Sequence, residues 1–287
     1  MLLAVKTRFG IILFLCFPCM VSGQGPGRVR IGVCLDADTF VAAQAAGFDY
    51  VEINASKVAA LTDDEFQQLA GRVAQLRIPV AAANVLIPAA IKIVGPDVDP
   101  IRQAGYLGAT LGRLKRLGVA VVVLGSGGAR RVPDGFSRDE AISQFAGFCR
   151  RLASLAGDNG ITIAVEPLRH QETNLINTVR EGLAMVKAVD RPEIKLLVDY
   201  YHLSEEGESA AVILEAATLI VHAHVANPRG RVYPLSPDEA DYAGFFENLC
   251  TIGYAGRLSI EASTPDFAAQ APQSLAMLRN ALACGTR

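Results

Sequence analysis

The 287-residue chain has no tryptophan, and aromatic residues make up only 7% of it. A surface that binds single-stranded nucleic acid stacks its bases on such side chains, and a duplex-binding surface needs a basic surplus. With 27 Lys and Arg against 29 Asp and Glu, and a formal net charge of −2, the chain has no such surplus. Nucleic acid is therefore not an expected partner. Of the six cysteines, Cys16 and Cys19 lie within the first apolar stretch, and the other four show neither CxxC spacing nor clustering, so no thiolate metal site or disulfide framework follows from them. No apolar run reaches the roughly 20 residues of a membrane helix, so stable membrane insertion is not expected. No GxGxxG follows the first apolar strand, which removes the signature of a dinucleotide-binding sheet. What is abundant is hydrophobic residues, 51% of the chain and ample for a large core, with small-molecule chemistry as the expectation.

The first residues follow a logic of their own. Lys6 and Arg8 precede the apolar stretch from Phe9 to Val21, and Val21-Ser22-Gly23 offers small residues for cleavage. This pattern predicts a secretory signal peptide over residues 1–23 and an exported protein, periplasmic or secreted. Removing it leaves Cys34, Cys149, Cys250 and Cys284. Buried free thiols are the expectation for these, with Cys250 and Cys284 as an example of a pair that an oxidising compartment could join.

Beyond the signal, residues 24–287 alternate short apolar strands with amphipathic helical stretches, the pattern of βα units around a parallel sheet. Strands are expected at Val29–Leu35, Tyr50–Asn54, Pro79–Leu86, Val119–Leu124, within Ile161–Leu168, at Lys195–Val198, Leu219–Val225 and Arg257–Ile260. Helices are expected between them. Thr62 with Glu65 and Ser137 with Glu140 read as capping boxes, and Ser236-Pro237-Asp238-Glu239 reads as the start of the seventh helix. The sixth helix is expected from Glu205 to Ala217, with Ser204 rather than Asp199 as its nearer cap. Gly125-Ser126-Gly127-Gly128 reads as a loop with no helix opening directly after it. Eight alternations in this length fit a single (β/α)8 TIM barrel preceded by the signal peptide.

Four late strands end in chemistry. Ile161 to Leu168 is a continuous apolar run broken by Glu166; the sixth strand leads to Asp199, with His202 beyond; the seventh carries His222 and His224; the eighth leads to Glu261. In a closed parallel barrel these C-terminal ends meet on one rim. Glu166, Asp199, His224 and Glu261 would then form a mixed oxygen and nitrogen shell suited to one divalent ion such as Mn²⁺, Co²⁺ or Mg²⁺. His222 and His224 share a face because a strand repeats every two residues. Both face the interior or both face the helices, and in the first case His224 is the ligand. His170 is expected to be a solvent-exposed loop residue, and Arg130 and Arg131 to be solvated rim charges.

Val165-Glu166-Pro167-Leu168 with Asn177-Thr178, Val198-Asp199-Tyr200-Tyr201-His202, His222-Ala223-His224-Val225-Ala226 and Ser259-Ile260-Glu261 together resemble the xylose isomerase-like barrels. That superfamily includes tagatose and psicose 3-epimerases, hydroxypyruvate isomerase and inosose dehydratase. The resemblance covers the whole chain after the signal. It implies that Glu166, Asp199, His224 and Glu261 are metal ligands, that Glu166 and Glu261 are the catalytic pair, and that His202, Glu172, Arg231 and Glu52 face the substrate. The activity implied is a metal-dependent isomerase or epimerase of a ketose or polyol ketone, working by carboxylate proton transfer through a metal-stabilised enediolate. Its alternative is a lyase or hydrolase on a keto-sugar, keto-inositol or 3-keto-glycoside. An abasic-site endonuclease is disfavoured, because that relative needs further histidines at strands two and three, where this chain has Glu52 and Asn84. A small sugar or polyol is the partner expected, and a homo-oligomer is compatible with the sequence.

Overall fold

Runs of valine, isoleucine and leucine buried on both faces form the strands of a parallel sheet, because helices cover one face and the barrel interior covers the other. The computed structural model describes residues 28–284. Its strands are β1 (Arg30–Cys34), β2 (Tyr50–Asn54), β3 (Val80–Asn84), β4 (Val121–Leu124), β5 (Thr162–Val165), β6 (Ile194–Asp199), β7 (Ile220–Val225) and β8 (Arg257–Ile260). Each pairs in parallel with the next, and β8 pairs with β1 to close the ring. The connecting helices are α1 (Phe40–Ala46), α2 (Ala55–Ala60), α3 (Asp63–Val73), α4 (Pro100–Arg116), α5 (Gly127–Arg130), α6 (Arg138–Asn159), α7 (Val179–Val189), α8 (Tyr200–Glu205), α9 (Val212–Ala216), α10 (Ala243–Thr251) and α11 (Phe267–Ala281). The expected (β/α)8 barrel is the observed one. The signal peptide expected over residues 1–23 lies outside the described residues.

The period of two divides every strand between two cores. Val51, Ile53, Val122, Ile163, Leu196, Val198, Val225 and Ile260 pack outward with the helices in one large cluster. Each such side chain contributes about 1.5–3 kcal/mol by leaving water. Tyr50, Ala82, Val121, Val123, Ala164 and Leu197 form a smaller cluster inside the ring. The inward residues are small wherever a large one must pass. A Cβ on Gly32 would overlap the Tyr50 ring, so glycine there lets the tyrosine lie across the barrel floor.

Three local expectations are corrected. The sixth helical stretch begins at once with α8, because an Asp199 side-chain oxygen accepts from Tyr201 N at 2.8 Å and caps it. Gly207, at φ 62°, lies just past the end of α8, and α9 is a separate turn of helix. Ser236 to Glu239 yields only a 3-10 turn at Pro237–Glu239, and α10 starts later. Glu239 is held by Leu235 N and Asn227 instead of capping a helix, and Ala240 is extended. A helix, α5, does open directly in the Gly125–Gly128 loop.

The capping boxes at Thr62 and Thr178 are complete, and Ser137 caps α6 through Glu140 N. Cys250 on α10 is bonded to Cys284 beyond α11, so the expectation of free thiols holds only for Cys34 and Cys149. Among the described residues no helix is long and apolar enough to cross a membrane.

Candidate active site

Inward parity carries each strand's last polar residue to the mouth of the barrel. Glu166 follows β5 in line with Ala164, Asp199 follows Leu197 on β6, His224 follows His222 on β7, and Glu261 follows Ser259 on β8. One ligand atom from each of Glu166, Asp199, His224 and Glu261 lies within 4.8 Å of the others. His224 Nδ1 is 3.1 Å from Glu166 Oε1 and 3.6 Å from Glu261 Oε2. Asp199 divides its labour: one oxygen caps α8, while Oδ2 is buried with no hydrogen-bond partner among the described residues.

The neighbours hold these groups from several sides. Asn84 Nδ2 donates to Glu261 Oε1 at 2.7 Å, and Arg231 donates to Glu261 Oε2 at 2.5 Å. The other arm of Arg231 reaches Glu172 Oε1 at 3.1 Å, which also accepts from Arg169. Both guanidinium groups rest against the Tyr201 ring, at 4.7 and 4.9 Å from its centroid. His202 Nδ1 accepts from Arg169 N, so its ring proton sits on Nε2, which is buried and 3.5 Å from Asp199 Oδ2. Arg231, Glu172, Glu166 and Glu261 line one cavity of about 590 Å³ together with Cys34 and the Gly125–Gly127 loop.

Crowding shapes the electrostatics. Burial pushes the Asp199 carboxyl up to about 7, with the Glu166 charge adding to the effect. Burial and Glu261 likewise raise Glu166. Glu261 is buried as well, yet His224 and Arg231 bring it down to about 2. Burial and the Arg231 charge lower His202 to about 3, leaving it neutral. For His224, burial is outweighed by Glu52 and Glu261, which hold the ring well above the usual histidine range.

Two residues lie deeper than expected. Glu52 is absent from the wall of that cavity, although it reaches an adjoining hollow beside Cys34, Asn54 and Asn84. It is fully buried, with Oε2 at 2.7 Å from His222 and 2.6 Å from Ser259, and Oε1 at 3.1 Å from His224 Nε2. The register of β2 places it one layer below the rim, beside β7 and β8 side chains that cross the interior. Arg130 is not a solvated charge either. It is fully buried, donates to the Glu166 carbonyl at 2.6 Å, and is lowered by burial to about 10. Its α5 turn packs inward, which a glycine-rich stretch did not announce. Arg131 and His170 are at the surface as expected; Arg131 donates to the Gln171 carbonyl, and His170 bonds to Glu206.

Sequence reasoning missed Asn84 as the support of Glu261, although its strand-end position and inward parity signalled it. It also missed Gly125. A Cβ there would overlap Glu166 Oε2, so this glycine is needed for the carboxylate to occupy its place.

A closed barrel with acids and one imidazole converging at its C-terminal rim is the architecture of a (β/α)8 enzyme. The chain belongs to the xylose isomerase-like TIM barrel family, whose profile matches residues 40–281. It is 32% identical over 227 residues to an L-ribulose 3-epimerase from Methylomonas sp. (strain DH-1), covering 77% of this chain and 76% of that one. A solved D-allulose 3-epimerase from Methylomonas sp. superposes with a TM-score of 0.77 at 25% identity, covering 90% and 99%. The 3-keto-D-glucoside 4-epimerase from E. coli shares the fold, with a TM-score of 0.74 at 22% identity, covering 88% and 100%. The chain is an enzyme of the isomerase class, as its sugar 3-epimerase relatives are.

Proposed function

We propose that the chain epimerises a ketose at the carbon next to the carbonyl, with Glu166 and Glu261 exchanging the proton beside one divalent ion. The convergence of Glu166, Asp199, His224 and Glu261 within 4.8 Å, with Glu166 and Glu261 on the cavity wall, carries this reading. The donor set fits a hard or borderline ion, three carboxylates and one imidazole. The unpartnered Asp199 Oδ2 supports the fit, because a buried carboxylate oxygen without a donor is costly unless a cation serves it. Mn²⁺, Co²⁺ or Mg²⁺ would be held by these four side chains. Such an ion, when bound, acts as a Lewis acid on a carbonyl and acidifies the adjacent C–H.

The remaining work belongs to the protein's own groups. Glu166 and Glu261, from β5 and β8, flank the cavity, so one removes the proton and the other returns one from the far side of the carbon. Their opposite displacements, Glu166 up and Glu261 down, give the pair unequal proton affinities, as an acid and base pair requires. His202 Nε2–H, Glu172 and Arg231 are offered to substrate hydroxyls. Glu172 and Arg231 are already bonded to each other, which keeps both oriented before a sugar arrives.

The test is solvent deuterium incorporation into a panel of ketoses, using chelator-stripped protein before and after Mn²⁺ addition. Exchange that returns with the ion supports the reading; a full panel without exchange overturns it.

A second reading is favoured by the size of the mouth. The cavity of about 590 Å³ adjoins a hollow of about 410 Å³ across Cys34, lined by Asp36, Asp38, Thr39, Asn54 and, at its base, Glu52 and Asn84. That space suits a glycosylated keto-sugar, epimerised or cleaved by the same carboxylates. Loss of water or release of an aglycone in the same assay separates cleavage from epimerisation. Export remains part of the proposal. The Cys250–Cys284 bond supports an oxidising location, the kind in which such bonds persist.

A further inference from the structure

Beneath the candidate ligands lies a closed set of hydrogen bonds that the proposed chemistry does not use. Tyr50 OH is 2.7 Å from Ser259 Oγ, and Ser259 Oγ is 2.6 Å from Glu52 Oε2. His222 Nε2 is 2.7 Å from the same oxygen, and His224 Nε2 is 3.1 Å from the other. All five side chains are buried.

Counting protons gives this network a direction. Three neighbours that can donate meet the two Glu52 oxygens, Ser259 Oγ and His222 Nε2 at Oε2 and His224 Nε2 at Oε1, so this carboxylate accepts at both ends. Ser259 has one proton and must give it to Glu52, so Tyr50 donates to Ser259. His222 contacts Glu52 through Nε2, which therefore carries hydrogen, while its buried Nδ1 has no hydrogen-bond partner among the described residues. The last oxygen, Oε1, requires a proton on His224 Nε2. With a cation at the four groups in place of a second ring proton, the imidazole is neutral and has only one ring proton. His224 Nδ1 is then bare, and it faces the oxygens of Glu166 and Glu261.

We propose that Glu52 is the positioning residue of the site: it holds the His224 ring proton on Nε2 and thereby presents Nδ1 as an electron-pair donor toward Glu166, Asp199 and Glu261. The inference rests on the reading that these four groups hold a cation. Metal-binding histidines commonly have the second ring nitrogen anchored to a carboxylate, and loss of such a partner costs about 10–100-fold in metal affinity. Here the anchor is itself anchored, since Ser259 and His222 fix Glu52 Oε2 and leave Oε1 no alternative donor. A Gln at position 52 keeps the shape but replaces one acceptor oxygen with an NH₂, so either His224 or the Ser259 and His222 pair loses its acceptor.

The chain has four histidines, which makes their ring nitrogens separable by ¹⁵N NMR. In the Mg²⁺-loaded wild-type protein the expected His224 spectrum has hydrogen on Nε2 and none on Nδ1. A proton found on Nδ1 overturns the proposal without reference to any variant. For Glu52→Gln, Mn²⁺ affinity in a direct binding titration is expected to fall about 10–100-fold, with the His224 Nε2–H signal shifted or lost. A purely structural role for Glu52 would not move the ring proton. Wild-type uptake of Mn²⁺ with unchanged uptake and spectrum in Glu52→Gln overturns the inference alone. Wild-type protein that binds no Mn²⁺ overturns the metal reading and this inference with it.

Discussion

The two halves of the barrel divide the work. β5 to β8 supply the four groups that converge at the mouth, Glu166, Asp199, His224 and Glu261, and of these Glu166 and Glu261 line the cavity. β1 to β4 and the turn after β4 supply most of the residues that hold them: Glu52 against His224, Asn84 against Glu261, and Gly125 and Arg130 against Glu166, with Arg231 after β7 added against Glu261. In a ring closed by β1 and β8, each half leans on the other, although the two are far apart in the chain. Reactive groups need unsatisfied capacity, and their supports need the opposite. The buried Asp199 Oδ2 has no donor, whereas both oxygens of Glu52 are occupied.

The strongest way to break this contrast is to neutralise a second-half carboxylate. Glu166→Gln or Glu261→Gln is expected to cut solvent exchange into a ketose by about 10²–10⁴-fold, with the circular dichroism of the fold unchanged. Undiminished exchange in either variant would remove that residue from the reactive set.

A first-half support should cost less. Asn84→Ala removes one hydrogen bond to a charged group, worth about 1.5–3 kcal/mol. The expected result is a fall of about tenfold or somewhat more in kcat, with KM nearly unchanged. A larger loss than that of Glu261→Gln would reverse the assignment of halves.

The contrast also has a pH signature. Asp199 and Glu166 lie above their ordinary range, so the stability they contribute is present below about pH 4. It is lost as pH rises, through about 7 for Asp199. The raised His224 acts in the same direction, losing its contribution at still higher pH. The lowered groups run the other way: His202 and His222 lose stability as pH falls below the ordinary histidine value, while the Glu261 window, down to about 2, lies below the range of interest. The Asp199 contribution is isolated by a variant: chelator-stripped wild-type protein should lose more melting temperature between pH 5 and pH 8 than Asp199→Asn does. Mn²⁺ should raise the midpoint by several degrees at pH 8 and by little at pH 5. A midpoint at pH 8 indifferent to Mn²⁺ would count against the second half as a cation site.

The smallest effect on chemistry is expected away from both halves of the rim. Cys250→Ser opens the link between α10 and the chain beyond α11 and should lower stability by about 2–4 kcal/mol, read by urea denaturation, while kcat stays unchanged. A change in kcat would mean that the disulfide reaches the site.

Much of this was legible before the fold was known. The strands ended within a few residues of their expected limits, because a buried parallel strand shows itself as an uninterrupted aliphatic run. Arg231, read from the sequence as facing the substrate, does line the cavity. The irregular connections were less legible. Ser236 to Glu239 has the composition of a helix start, yet the Glu239 carboxylate found Leu235 N and Asn227 and left α10 to begin elsewhere.

Local sequence was enough to determine the eight alternations and the strand-end positions of Glu166, Asp199, His224 and Glu261, because strand period and side-chain hydrophobicity act over neighbouring residues. That His222 and His224 both turn inward was left to the fold. Depth and partnership were decided only when the ring closed. Glu52 reads like a rim carboxylate and Arg130 like a solvated charge until strand register sets one beneath β7 and β8 side chains and the α5 turn carries the other under Glu166. Which atom meets which across a barrel depends on the stagger of strands distant in sequence, and no short stretch of chain encodes that by itself.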